Sequence, residues 1–208
     1  MTTNSLSPEE IEQNFNKYRS LCEKKLGDRK VQSLELIDAF GERLAMCPAS
    51  GKKGYHGAFP GGLIDHSLRV LNNAVTIRKS FDWNISNESL VLCCLFHDIG
   101  KAGLVLPSGE IVDYYIPAEQ WRRDKLGELY TYNTEMPYMT TQHRTLHTLQ
   151  HFNVKLTHEE FVAILLNDGF VVDENKPYCL KLPKLAHVVM TADYVSTMEE
   201  KNVSYWDA

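Results

Sequence analysis

The sequence predicts an all-α helical bundle that carries one small β-hairpin. Three observations carry this expectation. Apolar residues recur at three- and four-residue steps in the longer segments, the spacing of one helix face. Two Ser/Thr-x-x-Glu capping boxes, Ser7 to Glu10 and Thr157 to Glu160, open segments of that kind. Strand-like text is confined to Leu104-Val105-Leu106 and Ile111-Val112-Asp113-Tyr114-Tyr115, on either side of a Pro107-Ser108-Gly109 turn.

The elements follow in order. Ser7 caps a first helix, Pro8 fits its first turn, and Gly27 stops it after Leu26. A second helix is expected over 28–47, with Val31, Leu34, Ile37, Phe40 and Leu44 on its apolar face. The segment 48–55 reads as a loop. It leads into His56-Gly57-Ala58-Phe59-Pro60-Gly61-Gly62, whose paired glycines let the backbone turn tightly and approach a neighbour closely. A third helix is expected over 63–81 and projects His66 from its first turns. Residues 84–88 cap an almost wholly apolar helix that ends in His97-Asp98. The hairpin comes next, and 117–141 reads as irregular with a short helix at 118–126. A helix over 141–152 carries His143, His147 and His151 on one face. Thr157 opens an apolar helix that ends at Asn167-Asp168-Gly169, a loop runs to Pro183, and the last helix covers 184–200. Residues 201–208 read as a tail.

An apolar fraction of 43% in 208 residues suits one domain with a sizeable core. Within it, 1–50 is expected as a helical scaffold and 56–198 as the core of the site. Five cysteines, an odd number without framework spacing, point to reduced thiols in a cytoplasmic protein. Cys93 and Cys94 lie in the apolar run, where packing is their expected role. No stretch is long and apolar enough to span a membrane, and no signal peptide is evident at the start. A formal charge of −5 argues against a broad basic face for coating nucleic acid. It leaves room for a small phosphorylated substrate, because a metal ion supplies local positive charge.

Chemistry concentrates in four side chains. Leu95-Phe96-His97-Asp98-Ile99-Gly100-Lys101 ends an apolar helix in an imidazole and a carboxylate. Burying both without partners costs several kcal/mol. Such a pair is also found at an ordinary capped helix end. His66 and Asp193, however, lie on two further apolar helices, where an unpartnered polar group is equally out of place. A bundle with metal ligands projecting inward explains His66, His97, Asp98 and Asp193 together.

The order H…HD…D on a helical domain resembles the HD-domain metal-dependent phosphohydrolase superfamily, over about two-thirds of the chain, 56–198. The text His56-x-Ala58-x-x-Gly61-Gly62-Leu63-x-x-His66-Ser67, with the HD motif above, is most similar to the HD modules of bacterial 3′–5′ exoribonucleases and of small stand-alone phage and bacterial proteins. The resemblance implies His66, His97, Asp98 and Asp193 as core ligands of a divalent ion: Mn, Fe, Co, Ni, Mg or Zn. It implies His143 as a ligand of a second ion. The second extra histidine of two-metal members is missing here, where the chain reads Asn167-Asp168-Gly169, and Asp168 is the oxygen ligand available in its place.

The expected activity is hydrolysis of a nucleotide or other small phosphate ester by a metal-activated water. Asp98 would orient that water. Lys101 would meet a phosphate oxygen, or else be a solvated loop lysine. His143 would serve as second-metal ligand, phosphate contact or general acid. Arg144 is a phosphate candidate, and Tyr114, Tyr115, Trp121 and Arg122 form either a substrate wall or a lid packed by its own aromatics. Two alternatives stand beside this: a 3′–5′ nuclease on single-stranded RNA or DNA, for which aromatics interleaved with basic residues suit a strand groove, and a non-catalytic nucleotide-binding module.

Overall fold

The computed structural model describes residues 5–201 and is built mostly of helices. The tail expected over 201–208 lies, apart from the backbone of Lys201, outside the described residues. So do the first four residues of the chain. The helices are α1 (Pro8–Lys25), α2 (Lys30–Phe40), α3 (Glu42–Met46), α4 (Gly62–Ser80), α5 (Asn87–Phe96), α6 (Gln120–Leu126), α7 (Thr141–His151), α8 (His158–Leu165) and α9 (Lys184–Lys201). Both capping boxes form: Ser7 exchanges bonds with Glu10, and Thr157 with Glu160. Ser86 caps α5 and Thr140 caps α7 through their side chains.

The expected hairpin forms as β1 (Leu104–Val105) and β2 (Ile111–Val112), antiparallel with Leu104 opposite Val112. A second antiparallel ribbon, β3 (Tyr115–Pro117) with β4 (Tyr130–Tyr132), encloses α6. The sequence reads 117–141 as irregular apart from a short helix and puts Tyr115 in the first hairpin; Tyr115 instead pairs with Tyr132 in this second ribbon. The helix expected over 28–47 is two helices, preceded by a short 3₁₀ turn, Gly27–Arg29. Gly41 has φ +49° and ends α2, so α3 departs on a new axis. Val31, assigned above to the apolar face, is 55% exposed, whereas Ile37, Phe40 and Leu44 are buried.

α4 packs against α9 and α5, and α8 closes on α9. The apolar α5 runs through the middle, with Leu90 to Phe96 all buried. α1 is tied to it by Tyr18, which donates to the carbonyl of Leu95 at 2.7 Å and meets Phe96 edge-on. Arg29 bridges Glu88 of α5 and the buried Glu160 of α8 at 2.9 and 2.7 Å. Cys93 and Cys94 are buried in this core, and all five cysteines are free thiols. Among the described residues, no helix is long and apolar enough to cross a membrane.

Candidate metal centre

Two backbone devices bring the site residues together. Gly61 has φ +82° at the start of α4, and a Cβ on Gly62 would stand 2.0 Å from the carbonyl oxygen of Gly57. The loop thus folds back on the helix start, and only glycine permits it. The second device is the turn after His97. Gly100 lies so close to α7 that a Cβ would be 2.4 Å from the carbonyl oxygen of Thr141. Thr145 of α7 accepts from Gly100 N–H at 3.0 Å and donates to the His97 carbonyl at 3.1 Å. α7 therefore fixes the turn that presents His97 and Asp98.

His66 and His97 face each other, ring centroids 5.4 Å apart, and both side chains are fully buried. His97 Nδ1 lies 2.9 Å from the carbonyl oxygen of Cys94. A carbonyl only accepts, so Nδ1 carries a proton and Nε2 is the nitrogen left for a ligand. His66 Nδ1 lies 2.9 Å from Glu200 Oε1, an acceptor, so Nδ1 carries a proton here too. His66 Nε2 stands 2.9 Å from Asp193 Oδ1, an ion-pair distance without hydrogen-bond geometry. His97 Nε2 is 3.9 Å from that oxygen.

Three ligand atoms, one each from His66, His97 and Asp193, thus lie within 4.8 Å of one another. Among the described residues it is the one group of three or more His, Cys, Asp or Glu side chains placed in this way. The Nε2 atoms of both histidines and Oδ1 of Asp98 are buried and have no hydrogen-bond partner. Each such atom costs about 1–3 kcal/mol if left so. A divalent ion satisfies them at once, and a nitrogen and carboxylate donor set suits the transition ions named above. The residues present fit the metal.

Asp98 borders the group rather than completing it. Its Oδ2 is 2.5 Å from Lys101 Nζ and 3.5 Å from His97 Nε2. Lys101 is neither a solvated loop lysine nor free for phosphate: its side chain is 16% exposed and bound to Asp98. Burial opposes both charges, and the pairing outweighs it. The Asp98 carboxyl is held well below the usual range by Lys101, His97 and His66, and Lys101 is pushed up chiefly by Asp98. Asp193 is likewise lowered, because His66 outweighs the effect of burial. Burial alone would lower His66, but Asp193 and Glu200 raise it to about 10 in the absence of a metal.

Two neighbours escaped the sequence reading. The His56 ring centroid is 5.0 Å from that of His66, and its buried Nδ1 has no partner. Burial, then Lys101 and His66, lower His56 to about 3, so its imidazole is neutral. It sits in a glycine-rich loop, where sequence periodicity says nothing of direction. Glu200 was legible in principle, since it follows Asp193 by seven residues, two turns on the same helix face.

The structure does not bring His143 into the group; its side chain is exposed on α7. Among the described residues the stripe it begins does not gather into a ligand group: His147 Nε2 lies 3.1 Å from the Val105 carbonyl and His151 is exposed. Asp168 lies at the margin. It is exposed to solvent at one side yet crowded by protein, accepts from Gln142, and is raised by that crowding and by Asp98. Arg144 is fully buried and occupied: it bonds the carbonyls of Gly100 and Met139, reaches Thr141 Oγ1 and stacks on Tyr114 at 3.7 Å. It is placed to hold the turn, not to meet a phosphate. Tyr114 and Tyr115 pack with Tyr130 and Tyr132 across the second ribbon. Arg122 pairs with Glu128 at 2.6 Å and lies beside Trp121, whose exposed indole donates to Glu119. The insertion is to that extent a lid packed by its own aromatics. An open cavity of about 510 Å³ lies beneath it, lined by Arg43, Cys47, Lys101 and Tyr115 among others. It reaches Lys101 but not His66, His97 or Asp193.

The model of the HD domain family matches residues 63–198, well over half of the chain. The matched segment contains His66, His97, Asp98 and Asp193. No curated protein and no solved structure matches the chain.

Proposed function

The chain belongs to the HD domain family of metal-dependent phosphohydrolases, and on that premise we propose that it hydrolyses a nucleotide or another small phosphate ester at one divalent ion. The observation that carries this is the convergence of buried His97 Nε2 and Asp98 Oδ1, neither with a hydrogen-bond partner, on the pair that buried His66 Nε2 makes with Asp193. His66, His97 and Asp193 would hold the ion, with Asp98 next to them. When bound, such an ion lowers the pKa of water and stabilises charge on a phosphoryl oxygen. Lys101 holds the Asp98 carboxylate in place beside these ligands. His56 offers a neutral imidazole beside His66, placed to hydrogen-bond a group entering there. The same reading takes residues 1–50 as scaffold for one domain, supported by the bond from Tyr18 to the end of α5.

The test is phosphate and nucleoside release from mono-, di-, tri- and cyclic nucleotides and short oligonucleotides, with Mn²⁺ and EDTA arms. Turnover of small nucleotides that EDTA abolishes is the expected result. Loss of that turnover in Asp98→Ala, with the thermal melt preserved, supports the role given to Asp98; unchanged turnover removes it. The exposed Trp121, Tyr132 and Tyr138 favour a second reading, a nuclease on single strands. Cleavage of oligonucleotides alone, with affinity falling steeply in salt, would replace the first reading by the second.

A further inference from the structure

We propose that Glu200 is a positioning residue for the metal: its carboxylate accepts a hydrogen bond from His66 Nδ1–H, so that Nε2 is the atom offered to a divalent cation. The inference rests on the metal reading above and deepens it.

The arrangement follows from helix geometry. Asp193, Ser196 and Glu200 recur at three- and four-residue steps on α9, so all three face α4. Ser196 and Glu199 take the amide of Asn73 on α4 at 3.0 and 3.1 Å, which fixes the register between the helices. Two turns along α4 toward the site, His66 lies between two carboxylates. Glu200 holds Nδ1 and Asp193 approaches Nε2, each at 2.9 Å. His97 is organised by the same logic, with the Cys94 carbonyl on Nδ1 and Nε2 bare. Both rings are therefore turned the same way, one by the backbone and one by a side chain. Ligating histidines are commonly fixed in this manner through the other ring nitrogen, and a carboxylate there also raises the basicity of the ligand.

The burial of Glu200 points in the same direction. Its side chain is 7% exposed, and Oε2 has no partner. A helix strap needs no charge there, and a buried carboxylate with one oxygen unpaired is costly. A cation on the far side of His66 compensates that charge through the ring.

The experiment uses the full chain, stripped with EDTA and titrated with Mn²⁺ by calorimetry, with thermal melts recorded in EDTA. Glu200→Gln keeps the volume and an acceptor but removes the charge. The expected result is Mn²⁺ affinity about 10–100-fold weaker, with a cooperative melt retained in EDTA. Glu200→Asp shortens the reach and is expected to weaken Mn²⁺ binding in the same range, so that the inference stays testable if one variant fails to fold. A Glu200→Gln protein that binds Mn²⁺ like the wild type overturns the inference and leaves the metal reading standing. The same follows if it melts lower in EDTA with affinity intact, for Glu200 is then only a strap. A wild-type protein that binds no Mn²⁺ overturns the metal reading and the inference with it.

Discussion

Thr145→Val isolates what α7 does for the HD turn. Valine keeps the shape of threonine and puts a methyl group in place of the hydroxyl. That hydroxyl accepts from Gly100 N–H at 3.0 Å and donates to the His97 carbonyl at 3.1 Å, and Thr145 is fully buried. Its loss leaves one donor and one acceptor without partners inside the protein. Each costs about 1–3 kcal/mol. Because the two share one hydroxyl, they do not simply add, and a loss on the order of 2–5 kcal/mol is expected. For a chain of this size 1 kcal/mol moves the melting point by about 2–4 °C, so the drop is on the order of 10 °C. Thr145→Ser is the control. It keeps the hydroxyl and deletes a methyl group, at a cost of about 1 kcal/mol. The assay is urea and thermal denaturation of both variants in EDTA. A valine variant as stable as the wild type, or more stable than the serine variant, refutes the clamp.

Three further expectations follow from other parts of the fold. Arg29→Met leaves Glu160 buried without its cation and should cost about 3–5 kcal/mol at pH 7 in urea unfolding. Burial raises the Glu160 carboxyl, but Arg29 outweighs this and holds it below its ordinary value of 4.5. The stabilisation is therefore full above pH 4.5 and is lost as pH falls through the lower folded value, so the gap between wild type and variant should close in acid. Gly62→Ala sets a methyl against the Gly57 carbonyl oxygen and should lower the melting point by more than overpacking of a flexible side chain does, roughly 1–3 kcal/mol or beyond. Arg144→Met should lower stability and leave the KM for any small phosphate substrate unchanged, because the guanidinium is bound to backbone carbonyls; a raised KM with intact stability would restore it as a substrate contact.

The helices were legible because their signals are local. Capping boxes at Ser7 and Thr157 and the apolar run of α5 are visible within a few residues, and each has the predicted result. The break at Gly41 was missed because apolar spacing continues through it, while the left-handed φ depends on how α3 packs. The ribbon of β3 and β4 was missed because its strands are three residues long and α6 separates them. At the site, His66, His97 and Asp193 were found because a polar group on an apolar helix face is conspicuous. His143 and Arg144 were assigned from order along α7. Order does not say which way a side chain faces, and the helix turns Arg144 into the protein while His143 is left outside. Lys101 was read as free because its partner is three residues back across a turn that the text does not show.

The central claim is that His66, His97 and Asp193 hold a divalent ion. Anomalous scattering at the manganese edge from crystals of the full chain grown with Mn²⁺ tests it most directly. The expected result is a peak bounded by His66 Nε2, His97 Nε2 and the Asp193 carboxylate, absent from crystals of His97→Ala. A wild-type crystal with no peak there, or with its only peak elsewhere on the protein, contradicts it.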